Sequence, residues 1–276
     1  MTCLAMNFGE RPEIKTLVAR LEDHISSAAR GELGITPFLT PKELHIAEEY
    51  LKRRGAAFVA CGGYPMAERK RIYLLPDYME ELSRVESNHE LENKISEYGY
   101  SLNISLLTVR GSGYRRLTHR DFLGSALGLG VERAVMGDIV LLDEEGREAA
   151  LFCDGAIAEF FLRELTCVAN DKVKVSVTDM GKIRLPEKKT QPIHDTVAAP
   201  RLDAVVAALC SLSRDKARAA VATGIVELDF ETEERPDRTV SSPAIISVRG
   251  YGRYKVLSLS DKTRKGRYRL EAEKYV

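Results

Sequence analysis

Arg214, Lys216 and Arg218 crowd the start of a predicted helix, Ser213-Arg214-Asp215-Lys216-Ala217-Arg218, where elementary electrostatics argues against them. The first turn of a helix carries unpaired N–H groups and the positive end of the macrodipole. A cation there costs from a few tenths to about 1 kcal/mol. Arg214 and Arg218 stand four residues apart and so share one face. A solubilising surface accounts for Arg218 but not for cations in the opening turn. A phosphate accounts for both, because exposed helix N–H groups and cationic side chains converge on one anion. Arg201, Ser213 and Asp215 join this set from the same stretch, and Arg249 and Arg253 follow at the end of a predicted strand. Beyond them Lys255, Lys262, Arg264, Lys265, Arg267 and Arg269 face Asp261 alone, forming a basic tail suited to neutralising a nucleic-acid backbone.

Two further groups are candidate RNA contacts. Arg69, Lys70 and Arg71, which follow a Gly-rich turn, are the first, although runs like this one and like Lys52, Arg53 and Arg54 at the end of the helix before it are more often solvated faces. Thr118 is a predicted cap for a helix beginning at His119, which places Arg115, Arg116, His119 and Arg120 around an anion-accepting helix end.

Fragments that imitate catalytic motifs fail on their neighbours. His119-Arg120-Asp121 has the letters of a kinase catalytic loop, but Ala126 stands where the magnesium-binding Asn belongs. Gly111-Ser112-Gly113 lacks the third glycine of a dinucleotide fingerprint. The other histidines, His24, His45, His89 and His194, have no metal-ligand spacing. Arg201-Leu202-Asp203 resembles the catalytic triplet of RNA pseudouridine synthases. It leads directly into a helix with Leu202, Val205, Val206 and Leu209 on one face, where Asp203 offsets the unpaired N–H groups of the first turn. No catalytic residue, metal or cofactor is expected.

The elements that position these residues follow from pattern. In "LTPKELHIAEEYLKRRG" Thr40 is the N-cap, Pro41 opens the helix, Glu43 completes a capping box and Gly55 ends it. "AAFVACGGYPMAERKRIYLLP" reads strand, turn, strand. From Tyr100 onward come a strand, a helix at 118–130, a hairpin turning at Glu145-Gly146, a helix with Ile157, Phe161 and Leu165 on one face, and the strand "KVKVSVTDM". That β-α-β-β-α-β order is the split βαβ arrangement shared by RNA-recognition domains and unrelated enzymes. The aromatic signature of base stacking is absent, with only Phe152 in the third strand, so this sheet is not expected to read bases. Residues 182–200 read as a connection that becomes extended near Val197.

The 276 residues carry 41 Lys and Arg against 41 Asp and Glu, so net charge points to no partner and distribution has to. Five scattered cysteines (Cys3, Cys61, Cys153, Cys167, Cys210) suit reduced thiols in a cytoplasmic protein. The N-terminus lacks a leader pattern and no apolar run reaches membrane-spanning length.

Residues 200–255, through "RLD", "SLSRDKAR", "GIVELD" and "IISVRG", resemble the RNA-binding domain named after ribosomal protein S4. With "GGYPMAERKR", "LTHRDFLGSALGLGVERAVMGDI" and "ISVRGYGR", the whole chain resembles the YlmH-like family of S4-domain proteins of the ribosome-associated quality control type. Pro243-Ala244 replaces the usual Gly-Asp before the last S4-type strand, which leaves the turn there open. The stretch Glu227, Asp229, Glu231, Glu233, Glu234 and Asp237 is acidic, opposed by Arg235. The expected fold is α+β. A small N-terminal α/β domain spans 1–85, a ferredoxin- or RRM-like domain 86–182, and an S4-type (alpha-L) domain 195–276. The resemblance implies a protein that binds RNA, rRNA or tRNA, on the large ribosomal subunit in rescue or quality control. With no nucleophile and base found in the chain, it is expected to be a non-enzymatic monomer with no membrane partner. An RNA-modifying enzyme with an appended S4-type domain and a protein-interaction adaptor are the alternatives.

Overall fold

The computed structural model describes residues 12–186, 190–263 and 266–275, so Cys3, Arg264 and Lys265 lie outside the described residues. The chain is mixed α/β and divides into two compact units after Pro186.

The first unit opens with α1 (Pro12–Ala29), β1 (Gly34–Ile35), α2 (Pro41–Arg54), β2 (Phe58–Cys61) and β3 (Arg71–Leu74), the strands forming an antiparallel sheet in the order β1-β3-β2. Helix α2 has the expected ends. Thr40 and Glu43 form the capping box, Pro41 occupies the first turn, and Gly55 turns left-handed at φ 66°. A 3-10 stretch (Asp77–Arg84) and α3 (Asn88–Glu97), capped by Ser87, lead to the second sheet.

That sheet is made from β4 (Ile104–Gly111), β5 (Met136–Leu141), β6 (Glu148–Asp154), β7 (Cys167–Val168) and β8 (Asp171–Val177), with α4 (His119–Gly128) and α5 (Gly155–Glu164) between strands. Its order is β5-β6-β4-β8-β7, every neighbour antiparallel. Strand alternation divides its residues between two cores. Leu107, Val109, Leu151 and Cys153 pack with Phe122, Ala126 and Phe161 of the helices. Leu106, Ala150 and Phe152 point the other way and pack with Phe38, Tyr73 and Leu102. One hydrophobic cluster therefore spans residues on both sides of position 85. Phe152 is fully buried and stacks on Tyr64 at 4.8 Å between ring centres, so the lone aromatic of the third strand is spent inside the protein.

The second unit comprises β9 (Thr190–Val197), α6 (Leu202–Cys210), α7 (Arg214–Ala222), β10 (Val226–Leu228), β11 (Glu231–Thr232), β12 (Ala244–Val248), β13 (Gly252–Lys262) and β14 (Tyr268–Tyr275). The strands form one antiparallel sheet, β11-β10-β12-β13-β14-β9. Val205, Val206 and Leu209 of α6 and Ala217 and Val221 of α7 bury against Tyr254, Val256, Leu270 and Ala272 of the sheet. The basic stretch from Lys255 to Arg269 is thus no tail: its described residues build the β13–β14 hairpin. The connection at 182–200 likewise supplies a whole edge strand, β9, paired with β14 from Thr190 opposite Tyr275 to Val197 opposite Tyr268. Where Pro243-Ala244 departs from the S4-type pattern, Ser242-Pro243 is a cis peptide and β12 begins at Ala244.

Candidate nucleic-acid interface

The stretch from Arg201 to Arg218 folds around one buried carboxylate. Helix α6 has no side-chain N-cap; its opening N–H groups donate instead to main-chain carbonyls, Leu202 to Arg238 at 2.8 Å and Asp203 to Pro236 at 3.0 Å. Asp203 is therefore not needed as an acceptor for helix N–H groups, contrary to its expected role. Its side chain is 3% exposed and takes Arg201 Nη2 at 3.1 Å on one oxygen and Arg214 Nη2 at 3.1 Å on the other. Arg201 Nε adds a longer hydrogen bond at 3.3 Å. Burial pushes the Asp203 carboxyl up, but the hydrogen bonds and charges of Arg214 and Arg201 outweigh it and hold the group below its ordinary value.

This pairing explains a cation in the first turn of α7. A hydrogen-bonded ion pair at a buried carboxylate is stronger than the dipole penalty of at most about 1 kcal/mol. The arrangement still leaves much of each guanidinium in solvent, since Arg201 is 40% and Arg214 47% exposed. Ser213 caps α7, accepting from Lys216 N, while Asp215, Lys216 and Arg218 are exposed. A groove of about 250 Å³ beside Arg214 is floored by Ala204, Ala207 and Ala208 and rimmed by Arg267.

Arg249 and Arg253 belong to the other end of α7. Arg249 N donates to Ile225 O at 3.0 Å, just past that helix, and its side chain is exposed in the β12–β13 turn beside exposed Tyr251. Nine residues of helix, at 1.5 Å each, put about 13 Å between the two ends, so cations bracket α7. Arg253 is half-buried over the Phe230 ring at 5.9 Å. The acidic stretch nearby is partly neutralised. Glu233 pairs with Arg235 at 3.0 Å and with Arg238 at 3.5 Å, and Asp229 Oδ1 accepts Ile245 N at 2.8 Å.

In the first unit the expected contacts divide sharply. Arg69 and Arg71 are only 8% and 6% exposed. Arg69 donates to the carbonyls of Met136, Phe38 and Arg133, and Arg71 to those of Thr36 and Asn103 and to Asp154 at 3.0 Å. Both are nearly buried and turn their guanidinium groups to acceptors inside the protein rather than to solvent. Lys70 between them is half-buried, its main chain bridged to Leu39. The hub of this region is Asp138, which accepts from Tyr64 Oη, Glu68 N and Arg69 N at 2.7, 2.6 and 3.1 Å. It joins "GGYPMAERKR" to "VMGDI", two motifs far apart in sequence. Burial and the neighbouring Arg69 lower the Arg133 guanidinium to about 10.

Arg115, Arg116, His119 and Arg120 are exposed at the start of α4. Thr118 does cap the helix, but Asp121 completes a capping box, its carboxylate accepting Thr118 N at 2.8 Å. The protein's own carboxylate already holds that helix end, which weakens it as an anion site and leaves Arg115, Arg116 and Arg120 as solvent-facing cations.

No helix among the described residues is long and apolar enough to cross a membrane, and none of their His, Cys, Asp and Glu side chains cluster as a metal site. Exposed cations stand at both ends of a short helix, an arrangement that can accept a polyanion. Residues 13–79 match the family model described as "YlmH, N-terminal", and residues 100–182 the model described as "Putative RNA-binding domain in YlmH". The chain is 29% identical over 242 residues to the Ribosome-associated protein quality control protein P2 of Bacillus subtilis (strain 168), covering 88% of this chain and 87% of that one. It is also similar to the solved structure of the cell division protein ylmH from Streptococcus pneumoniae, at 20% identity and a TM-score of 0.49, over 67% of this chain and 99% of that one. The chain belongs to the YlmH-like family.

Proposed function

We infer that this protein is a ribosome-associated RNA-binding protein that grips structured rRNA or tRNA on the large subunit and serves ribosome rescue or quality control. It acts in the cytoplasm by binding rather than by catalysis. The name of the Bacillus subtilis relative and the RNA-binding description of the matched family model support that setting. The strand order β5-β6-β4-β8 suits a split βαβ domain, and α6–α7 on the following sheet suit an S4-type domain. The observation that carries the proposal is the Asp203 clamp. A buried carboxylate holds two arginines, each partly free, beside a capped helix whose Lys216 and Arg218 face solvent. Such a group contacts phosphates by position and shape rather than by base sequence. Arg201-Leu202-Asp203 also fits poorly with a pseudouridine synthase nucleophile, because Asp203 is nearly sealed from solvent by its two partners.

The test is co-sedimentation with large ribosomal subunits across a salt series. Replacing Lys216 and Arg218 by Glu leaves the clamp intact and should weaken binding at least tenfold. If each contacts a phosphate, the slope of log affinity against log salt should fall by about two. Unchanged binding by this folded variant would remove α7 as the contact. Isomerised uridine appearing in large-subunit RNA incubated with the wild-type protein would instead establish an enzyme.

A further inference from the structure

Tyr114 is 98% exposed, far more than any other large apolar side chain among the described residues. A bare ring in water is unfavourable, and its loop is not a loose tip. Ser112 donates from its main-chain N at 3.0 Å and from its hydroxyl to the carboxylate of Asp171, which is buried at the start of β8. Gly111 brings the chain so close that a Cβ there would lie 2.8 Å from the same carboxylate. Gly113 turns at φ 86°, and Leu117, 1% exposed, pins the far side. The ring is thus displayed from an anchored base. With only two side-chain torsions, a tyrosine gives a large contact area at little entropic cost.

The surroundings are cationic. Arg115 and Arg116, the next two residues in the chain, are exposed. Lys172 follows the anchoring Asp171, and Lys174 lies opposite Arg110 on the sheet face turned away from α4 and α5; both lysines are exposed. Arg110 is partly neutralised by Glu148 at 2.8 Å. This is the uncovered half of the face whose other half, at Leu106 and Phe152, is buried.

We propose that Tyr114 is a stacking platform for an unpaired base of RNA, with Arg115, Arg116, Lys172 and Lys174 holding the adjoining phosphates. The proposal rests on the RNA-binding function above and specifies the state of the RNA that this unit takes. A flat ring with flanking cations fits a splayed-out nucleotide, whereas a duplex keeps its base faces inside the stack.

The chain contains no tryptophan, so Tyr114→Trp places a single, selectively excitable tryptophan at the site. The full chain is titrated with an end-labelled single-stranded RNA and with a fully paired duplex of equal length. Anisotropy of the label reports binding, and tryptophan emission reports stacking. Single-stranded RNA should quench the emission, and Tyr114→Ala should weaken its binding roughly tenfold, with duplex binding unchanged and Tyr114→Phe close to wild type. Binding by anisotropy with no quenching, or wild-type affinity in Tyr114→Ala, overturns the stacking platform while the RNA-binding function stands. Failure of the wild-type chain to bind the single strand also overturns the stacking platform, and co-sedimentation with large subunits then decides the RNA-binding function separately.

Discussion

Arg69 and Arg71 in the first unit and Arg201 and Arg214 in the second are pairs of arginines held by acceptors inside the protein, with opposite results. The first pair spends its N–H groups on main-chain carbonyls and on Asp154, and disappears from the surface. The second pair shares one carboxylate, which is too small to satisfy two guanidinium groups, so each keeps donors in solvent. A buried acceptor thus either absorbs an arginine or presents it, and the number of acceptors per guanidinium decides which.

The largest test of this contrast is Arg71→Met. Removing the cation leaves the carbonyls of Thr36 and Asn103 without that donor and Asp154 without its ion pair. The first unit should lose about 3–5 kcal/mol in a urea titration, while RNA affinity of the folded fraction stays unchanged. A variant of normal stability that bound RNA poorly would erase the distinction.

Asp203→Asn should cost less, about 1–3 kcal/mol in the second unit, with a modest loss of affinity because Arg201 and Arg214 are no longer aimed. The carboxyl titrates below its ordinary value in the folded state. Its contribution is therefore complete above the unfolded pKa of about 3.9 and is lost as pH falls through the lower folded value. Acid unfolding of the wild type should show this loss and that of Asp203→Asn should not; identical acid profiles would mean the clamp contributes nothing. Arg214→Glu is the wrong probe of the RNA surface. Glu suits the helix dipole, but here it sets a like charge against Asp203.

The smallest effect concerns Thr118. If the start of α4 is only a cap, Thr118→Ala should cost about 1 kcal/mol and leave RNA binding intact. Weakened binding at normal stability would restore that helix end as an anion site.

Local chemistry was legible in the chain. Thr40, Pro41, Glu43 and Gly55 bound α2 as their types require, Thr118 and Ser213 cap their helices, and Gly146 turns its hairpin at φ 66°. What failed to show was set by distant partners. Strand β9, "TQPIHDTV", is polar and contains Pro192, as an edge strand can be, and it exists because β14 lies beside it. The β13–β14 hairpin hid under its cations. Nothing in "AERKR" says that Arg69 and Arg71 face inward and that Lys70 does not follow them. Nor does "VMGDI" announce that Asp138 closes on a loop 70 residues earlier. Tyr251 and Arg238 gained their places only through the turn and the ion pair that hold them.

The β9–β14 pairing also sets the order of events in synthesis. The floor beneath α6 and α7 includes Leu270 and Ala272, and the last strand is sealed by the first. Long-range closure of this kind cannot be built piecemeal as the chain emerges. Arg201, Arg214 and Arg218 will have left the exit tunnel well before the strand that completes their support. A half-made chain therefore carries the charges without the clamp geometry, and its grip on RNA arrives only with the finished sheet.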